Sequence, residues 1–165
     1  MAKIGRPVLI RGNSCNATGE KIKLYRDTMS GAGFSEEEVE KSLDQLWVWR
    51  EMHIAETNDE AMGEFLPAHY DAYSWLEEVR AEWNPPEMEI SIQRAPMGRS
   101  DYAESPNPEL PENLVGGHKR VAEQVAMLRN VGVRNLMLTN RGLMSPSRTA
   151  KSLQLLSEKI MPSFR

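Results

Sequence analysis

The sequence predicts an α/β protein built on parallel strands, and two observations carry that reading. The first is a repeated order: a short apolar run, a polar loop, then an amphipathic helix. It occurs at Pro7–Ile10, at Trp47–Ala55 and at Val133–Leu138. Parallel strands need a crossover of this kind, and the crossover is right-handed. The second is the character of the last run, in which Leu136, Met137 and Leu138 are consecutive. A short apolar run between turn signals suits a strand covered on both faces.

The elements follow in order. After the run at 7–10, residues 11–19 (RGNSCNATG) read as a loop. A strand-to-helix loop of this composition is a candidate phosphate cradle, but it matches neither a Walker loop nor a dinucleotide fingerprint. Ile22, Tyr25 and Met29 then mark a helix that stops at Gly31 and Gly33. Ser35 and Glu38 form a capping box, and Val39, Leu43 and Leu46 face inward behind it. The acidic run Glu36–Glu38 suits a helix N-terminus without any metal.

The run at 47–55 (WVWREMHIA) reads as a strand. Glu51 and His53 stand two residues apart, hence on one strand face. They fit an acid/base pair or a hydrogen-bonded structural pair, and the absence of a third partner nearby in sequence favours the structural one. Thr57 with Glu60 is a second capping box. Ala61, Phe65, Ala68, Ala72, Leu76, Val79 and Trp83 continue as a helical stripe, interrupted by Pro67. Proline inside a helix removes a backbone bond, so a kink or two abutting helices is expected.

Residues 84–115 change character and hold six of the ten prolines: Pro85, Pro86, Pro96, Pro106, Pro108 and Pro111. Apart from a short strand near 88–93, an extended loop is expected, with Arg99, Asp101 and Tyr102 as candidate substrate contacts. Val121, Val125 and Leu128 give the next helix an apolar face, closed by Gly132 in a left-handed cap. Ser145 caps the closing helix with Pro146 at its first position. Thr149, Leu153, Leu156 and Ile160 form its inward stripe, and Pro162 ends it. Asn140 and Arg141 lie in the loop 139–142, just past the last strand. In α/β proteins that is the end where ligands bind.

The chain has 165 residues and a net charge of -4. No Lys/Arg stripe is present, so a nucleic-acid partner is not expected. Cys15 is the only cysteine, which excludes an intrachain disulfide and suits a reducing, cytoplasmic compartment. There is no long apolar segment for a signal peptide or a membrane span. No metal-ligand spacing occurs.

The segment VAEQVAMLRNVGVRNLMLTNRGLMSPSRTAKSLQLLSEKIMPSFR resembles the C-terminal end of the luciferase-like monooxygenases. DQLWVWREMHIAETNDEA is similar to that family's strand-then-helix pattern, and GRPVLIRG with KIKLYRDTMSGAGFS to an earlier strand and helix. The resemblance implies a (β/α)8 barrel using reduced FMN, or in some branches a deazaflavin, to oxidise a small organic substrate with O2. A complete barrel needs roughly 250 residues. The whole chain, 1–165, is therefore expected to be a partial TIM barrel, its C-terminal half with parallel strands. The resemblance points to no catalytic residue here, and Asn140 and Arg141 are the cofactor-side candidates. A homo-oligomer or a separate N-terminal half is the expected partner. The alternative is a non-catalytic half-barrel that packs or dimerises through open strand edges.

Overall fold

The computed structural model describes residues 1–11, 14–83, 113–139 and 144–164. Four strands form one parallel sheet: β1 (Leu9–Arg11), β2 (Trp47–Ala55), β3 (Leu114–Gly117) and β4 (Asn135–Thr139). The helices are α1 (Cys15–Gly31), α2 (Glu36–Leu43), α3 (Asn58–Trp83), α4 (His118–Asn130) and α5 (Pro146–Leu155). The α/β class, the parallel pairing and the limits of β2 agree with the sequence reading.

β2 is the hub. Its first half pairs with β1 through Leu9↔Trp47 and Arg11↔Trp49, and with β4 through Trp47↔Asn135 to Glu51↔Thr139. Its second half pairs with β3 from Met52↔Leu114 to Ala55↔Gly117. Residues 47–49 thus lie between β1 and β4.

Alternation along β2 sends Val48, Arg50, Met52 and Ile54 to one face, and Trp49, Glu51, His53 and Ala55 to the other. On the even-numbered face Val48, Met52 and Ile54 join a core with Ile22 and Met29 of α1, Val121 and Leu128 of α4, and Leu155 of α5. On the odd-numbered face Ala55 and Val115 pack with Ala61 and Phe65 of α3. Since crossovers are right-handed, helices on opposite faces carry the chain to opposite edges of β2. α3 therefore returns the chain to the β1 side for β3, and α4 takes it across to β4. The chain reverses its direction across the sheet at β2.

Local chemistry explains the ends. Ser14 Oγ accepts from the Ala17 amide, so α1 starts at Cys15, inside the stretch expected to be loop. Ser35 and Glu38 form the reciprocal box at α2. At the other ends, Phe34 N–H bonds Met29 O and Val133 N–H bonds Leu128 O, with Gly33 at φ 91 and Gly132 at φ 96. Only glycine takes such positive φ cheaply, and these wrap the last carbonyls of α1 and α4.

Several expectations are corrected. β3 lies at the end of the stretch expected to be loop. Pro67 sits inside one continuous helix rather than between two. In α5 the inward residues are Ser152 and Leu155, while Leu153 is 51% exposed. That helix passes into a π turn over Leu156–Ile160, which shifts its inward face, and then into a 3-10 turn over Met161–Phe164 that contains Pro162. β4 is not covered on both faces: Leu136 and Leu138 pack on the core, while Met137 is exposed. The possible strand near 88–93 lies outside the described residues.

Candidate functional site at the carboxyl edge of the sheet

The reversal at β2 directs attention to the carboxyl ends of the strands. Ligands of open α/β sheets bind there, where neighbouring connections leave in opposite directions. The end of β2 runs into Glu56 and the Thr57 cap of α3. The Thr57 hydroxyl accepts from the Glu60 amide at 3.1 Å. The Glu60 carboxylate accepts from the Glu56 amide at 3.2 Å, so the second half of the box falls one residue early.

β3 ends in Gly116 and Gly117. Gly116 has φ 151, and a Cβ there would meet Arg120 Cδ at 2.8 Å and Asn58 Oδ1 at 2.9 Å. The absent side chain lets Asn58 reach over and accept from the Gly117 amide at 2.8 Å. Gly117 then caps α4 without any side-chain hydrogen bond. The first-turn amides of α4 are thus not covered by a cap side chain. His118 Nδ1 and Thr139 Oγ1, at the ends of β3 and β4, are buried polar atoms without a hydrogen-bond partner.

Beneath this edge lies a layer of buried polar pairs. His53 is fully buried, and its Nε2 is 2.8 Å from Glu64 Oε2. A carboxylate only accepts, so Nε2 carries the proton. Glu64 Oε1 takes Arg148 Nε of α5 at 2.9 Å. One carboxylate therefore ties β2, α3 and α5 together. Ser152 of α5 adds a second tie, its hydroxyl accepting from the Ile54 amide at 2.8 Å. Glu51 meets His69 of α3, with Oε2 and Nδ1 2.9 Å apart. That oxygen makes no aligned hydrogen bond, so the contact is one of distance rather than direction.

Glu51 and His53 thus share a face, as their spacing implies. Neither serves the other: each is engaged by its own partner on α3. The sequence reading missed Glu64 and His69 because they lie on another element. A helical projection carries the signal, since Glu64, Phe65, Ala68 and His69 fall on the inward side of α3.

On the other face Arg50 is fully buried and donates to Thr18 Oγ1 at 2.8 Å. Cys15 is buried nearby. Burial pushes its thiol above the ordinary value, and the charge of Arg50 only partly opposes this. A raised thiol is a poor nucleophile, which agrees with a bystander role.

Asn140 and Arg141 lie outside the described residues, as do Arg99, Asp101 and Tyr102. Among the described residues no group of His, Cys, Asp and Glu side chains is arranged to hold a metal. No helix there is long and apolar enough to cross a membrane.

Comparison with solved structures finds the same arrangement elsewhere. The monooxygenase RslO1 from Streptomyces bottropensis superimposes with a TM-score of 0.68 at 21% identity, over 99% of this chain and 44% of that one. The fold is that of half a luciferase-like barrel. A second match is the coenzyme F420 dependent tetrahydromethanopterin reductase from Methanopyrus kandleri, with a TM-score of 0.60 at 15% identity, over 100% of this chain and 48% of that one. A third is the oxygenating constituent of 3,6-diketocamphane monooxygenase from the CAM plasmid of Pseudomonas putida, solved with FMN. It has a TM-score of 0.56 at 17% identity, over 93% of this chain and 41% of that one. The chain thus spans less than half the length of each of these three. No protein-family model matches the sequence, and a search of curated proteins finds no match. Within the luciferase-like fold, the sheet of the described residues is an open one.

Proposed function

We propose that residues 1–165 form the C-terminal portion of a flavin-dependent oxidoreductase of the luciferase-like type. In this reading the protein oxidises a small organic substrate with O2 and reduced flavin, FMN or a deazaflavin. The observation that carries it is the superposition of almost the whole chain on enzymes whose names specify FMN or F420.

The carboxyl edge fits the polar end of such a cofactor. The uncapped amides at the start of α4, with His118 Nδ1 and Thr139 Oγ1 unpartnered, offer donors to a phosphate or a flavin edge. Asn140 and Arg141, which follow β4 in the sequence, would add an amide that both donates and accepts and a permanent charge. The edge does not fit the ring. Both faces of the second half of β2 are packed, one by α3 and the other by α1, α4 and α5. The apolar wall for an isoalloxazine must therefore come from further βα units. The bound flavin supplies the redox chemistry. The residues of this chain hold its polar end, and Glu64 and Ser152 tie α5 to α3 and β2.

The test is a preparation in which an N-terminal set of βα units is supplied with this chain. It should purify with flavin absorbance, and Arg141→Ala should weaken FMN binding by about 1–3 kcal/mol where the charge meets the phosphate. A colourless preparation that no flavin or deazaflavin restores would favour the non-catalytic packing module, which the closed faces of β2 also suit.

A further inference from the structure

α3 lies on a different face from the other helices. The even-numbered face of the sheet packs on α1, α4 and α5, and the odd-numbered face, at its carboxyl end, packs on α3. Helices of a (β/α)8 barrel form an outer ring around the strands. The even-numbered face is therefore the outer one, and the odd-numbered face is the one a barrel turns towards its lumen. α3 leaves the carboxyl end of β2 and lies on that inner face. The carboxyl mouth is where barrel enzymes bind their substrates.

The seat of α3 also differs in kind from the core on the other face. Among the described residues its buried apolar cluster is Ala55 and Val115 from the strands with Ala61 and Phe65 from the helix. The opposite core joins Ile22, Met29, Val121, Leu128 and Leu155 from three helices. The rest of the seat of α3 is polar. His53 Nε2–H donates to Glu64 at 2.8 Å, and Glu51 lies 2.9 Å from His69. The tie from Glu64 to α5 runs through Arg148, which is half exposed. Burial among the described side chains of α3 ends at His69. Uncovering apolar surface costs in proportion to its area, whereas a hydrogen bond is exchanged for one to water at little net cost. A small apolar seat completed by polar pairs is one that can open and be solvated.

We infer that α3 is a lid over the carboxyl mouth. It lifts off β2 and β3 as one unit while the even-numbered face stays packed. Elements that move in this way come from the less stable part of a fold. Lifting uncovers Glu51 and His53, a carboxylate and an imidazole that can meet a substrate with hydrogen-bonding groups of its own. Closing returns each to its partner on α3 and excludes water. The inference rests on the fold and not on the proposed cofactor.

Amide hydrogen exchange of the whole chain tests it. Residues 61–70 should be less protected than the slowest amides of α1 and α4. Leu128→Ala weakens only the even-numbered core, which the lifted state keeps. It should speed the slowest exchange in α1 and α4 by about 30-fold or more and leave 61–70 unchanged. Phe65→Ala weakens the seat itself. It should speed exchange over 61–70 as a block, by about 100-fold or more. Should either variant unfold, Ile22→Val replaces the first and Glu64→Ala the second, with smaller factors and the same pattern. Equal protection of the three helices would overturn the inference. So would a Leu128→Ala effect on 61–70 as large as on α1 and α4, since α3 would then open only with the whole chain. Residues 61–70 answering Phe65→Ala one amide at a time would overturn it too, because that is fraying and not the motion of a lid.

Discussion

The two ends of β2 make an instructive contrast. From Val48 to Ala55 every side chain is buried, and from Arg50 on the strand is packed on both faces. Its polar groups there are drawn into contacts with α1, α3 and α5. At its start, Trp47 is 44% exposed beside Leu9 and Met137. The strand propensities are similar along its length, so the difference comes from the neighbours. α3 leaves the carboxyl end of β2 and covers only the part of the strand nearest its own start. Exposure on β2 is thus confined to its first residue.

The largest expected effect lies in the covered half. Ile54→Ala removes a side chain 1% exposed and should cost about 2–5 kcal/mol in urea unfolding. Trp47→Ala, although it deletes a larger group, should cost much less; an equal cost would erase the contrast. Glu64→Ala leaves the buried His53 Nε2–H without its acceptor and should cost about 1–3 kcal/mol. Arg148→Ala removes only a half-exposed partner of the same carboxylate, so about 0.2–1 kcal/mol is expected. Arg148→Ala costing as much as Glu64→Ala would show that the ion pair, not the buried histidine, holds α3 to β2.

The smallest effect is at the amino end of the sheet. There Glu40 accepts from Arg134 and Arg26, which hold its carboxyl below its ordinary 4.5. A depressed carboxyl stabilises the fold above the unfolded value and loses that contribution as pH falls below it. Urea midpoints followed into acid should therefore drop below about pH 4.5 by more in the wild type than in Arg134→Ala. Identical pH profiles would remove Glu40 from the account.

Much of the fold was legible because its signals are local. Ser35 with Glu38, Gly132 after Leu128, and Ser145 before Pro146 are each settled within four residues. β2 was legible as one nine-residue run rich in apolar and aromatic side chains. What was not legible depends on partners distant in sequence. β3 is four residues long, two of them glycine, and is a strand only because Met52–Ala55 pair with it. The inward turn of Ser152 rather than Leu153 follows from the π turn after Leu155 and from the bond to the Ile54 amide. The polar layer was half visible: Glu51 and His53 stood out, while Glu64, 11 residues beyond His53, looked like an ordinary helix surface residue. The candidates Asn140 and Arg141 rest on their place after β4, and they keep that basis.

The central claim is that this chain holds the polar end of a flavin and lacks the wall for its ring. Titrating FMN fluorescence against the 165-residue chain, alone and with an N-terminal set of βα units supplied, tests it most directly. The account predicts little quenching by the chain alone and stoichiometric quenching once those units are present. Tight, stoichiometric quenching by the chain alone would contradict it.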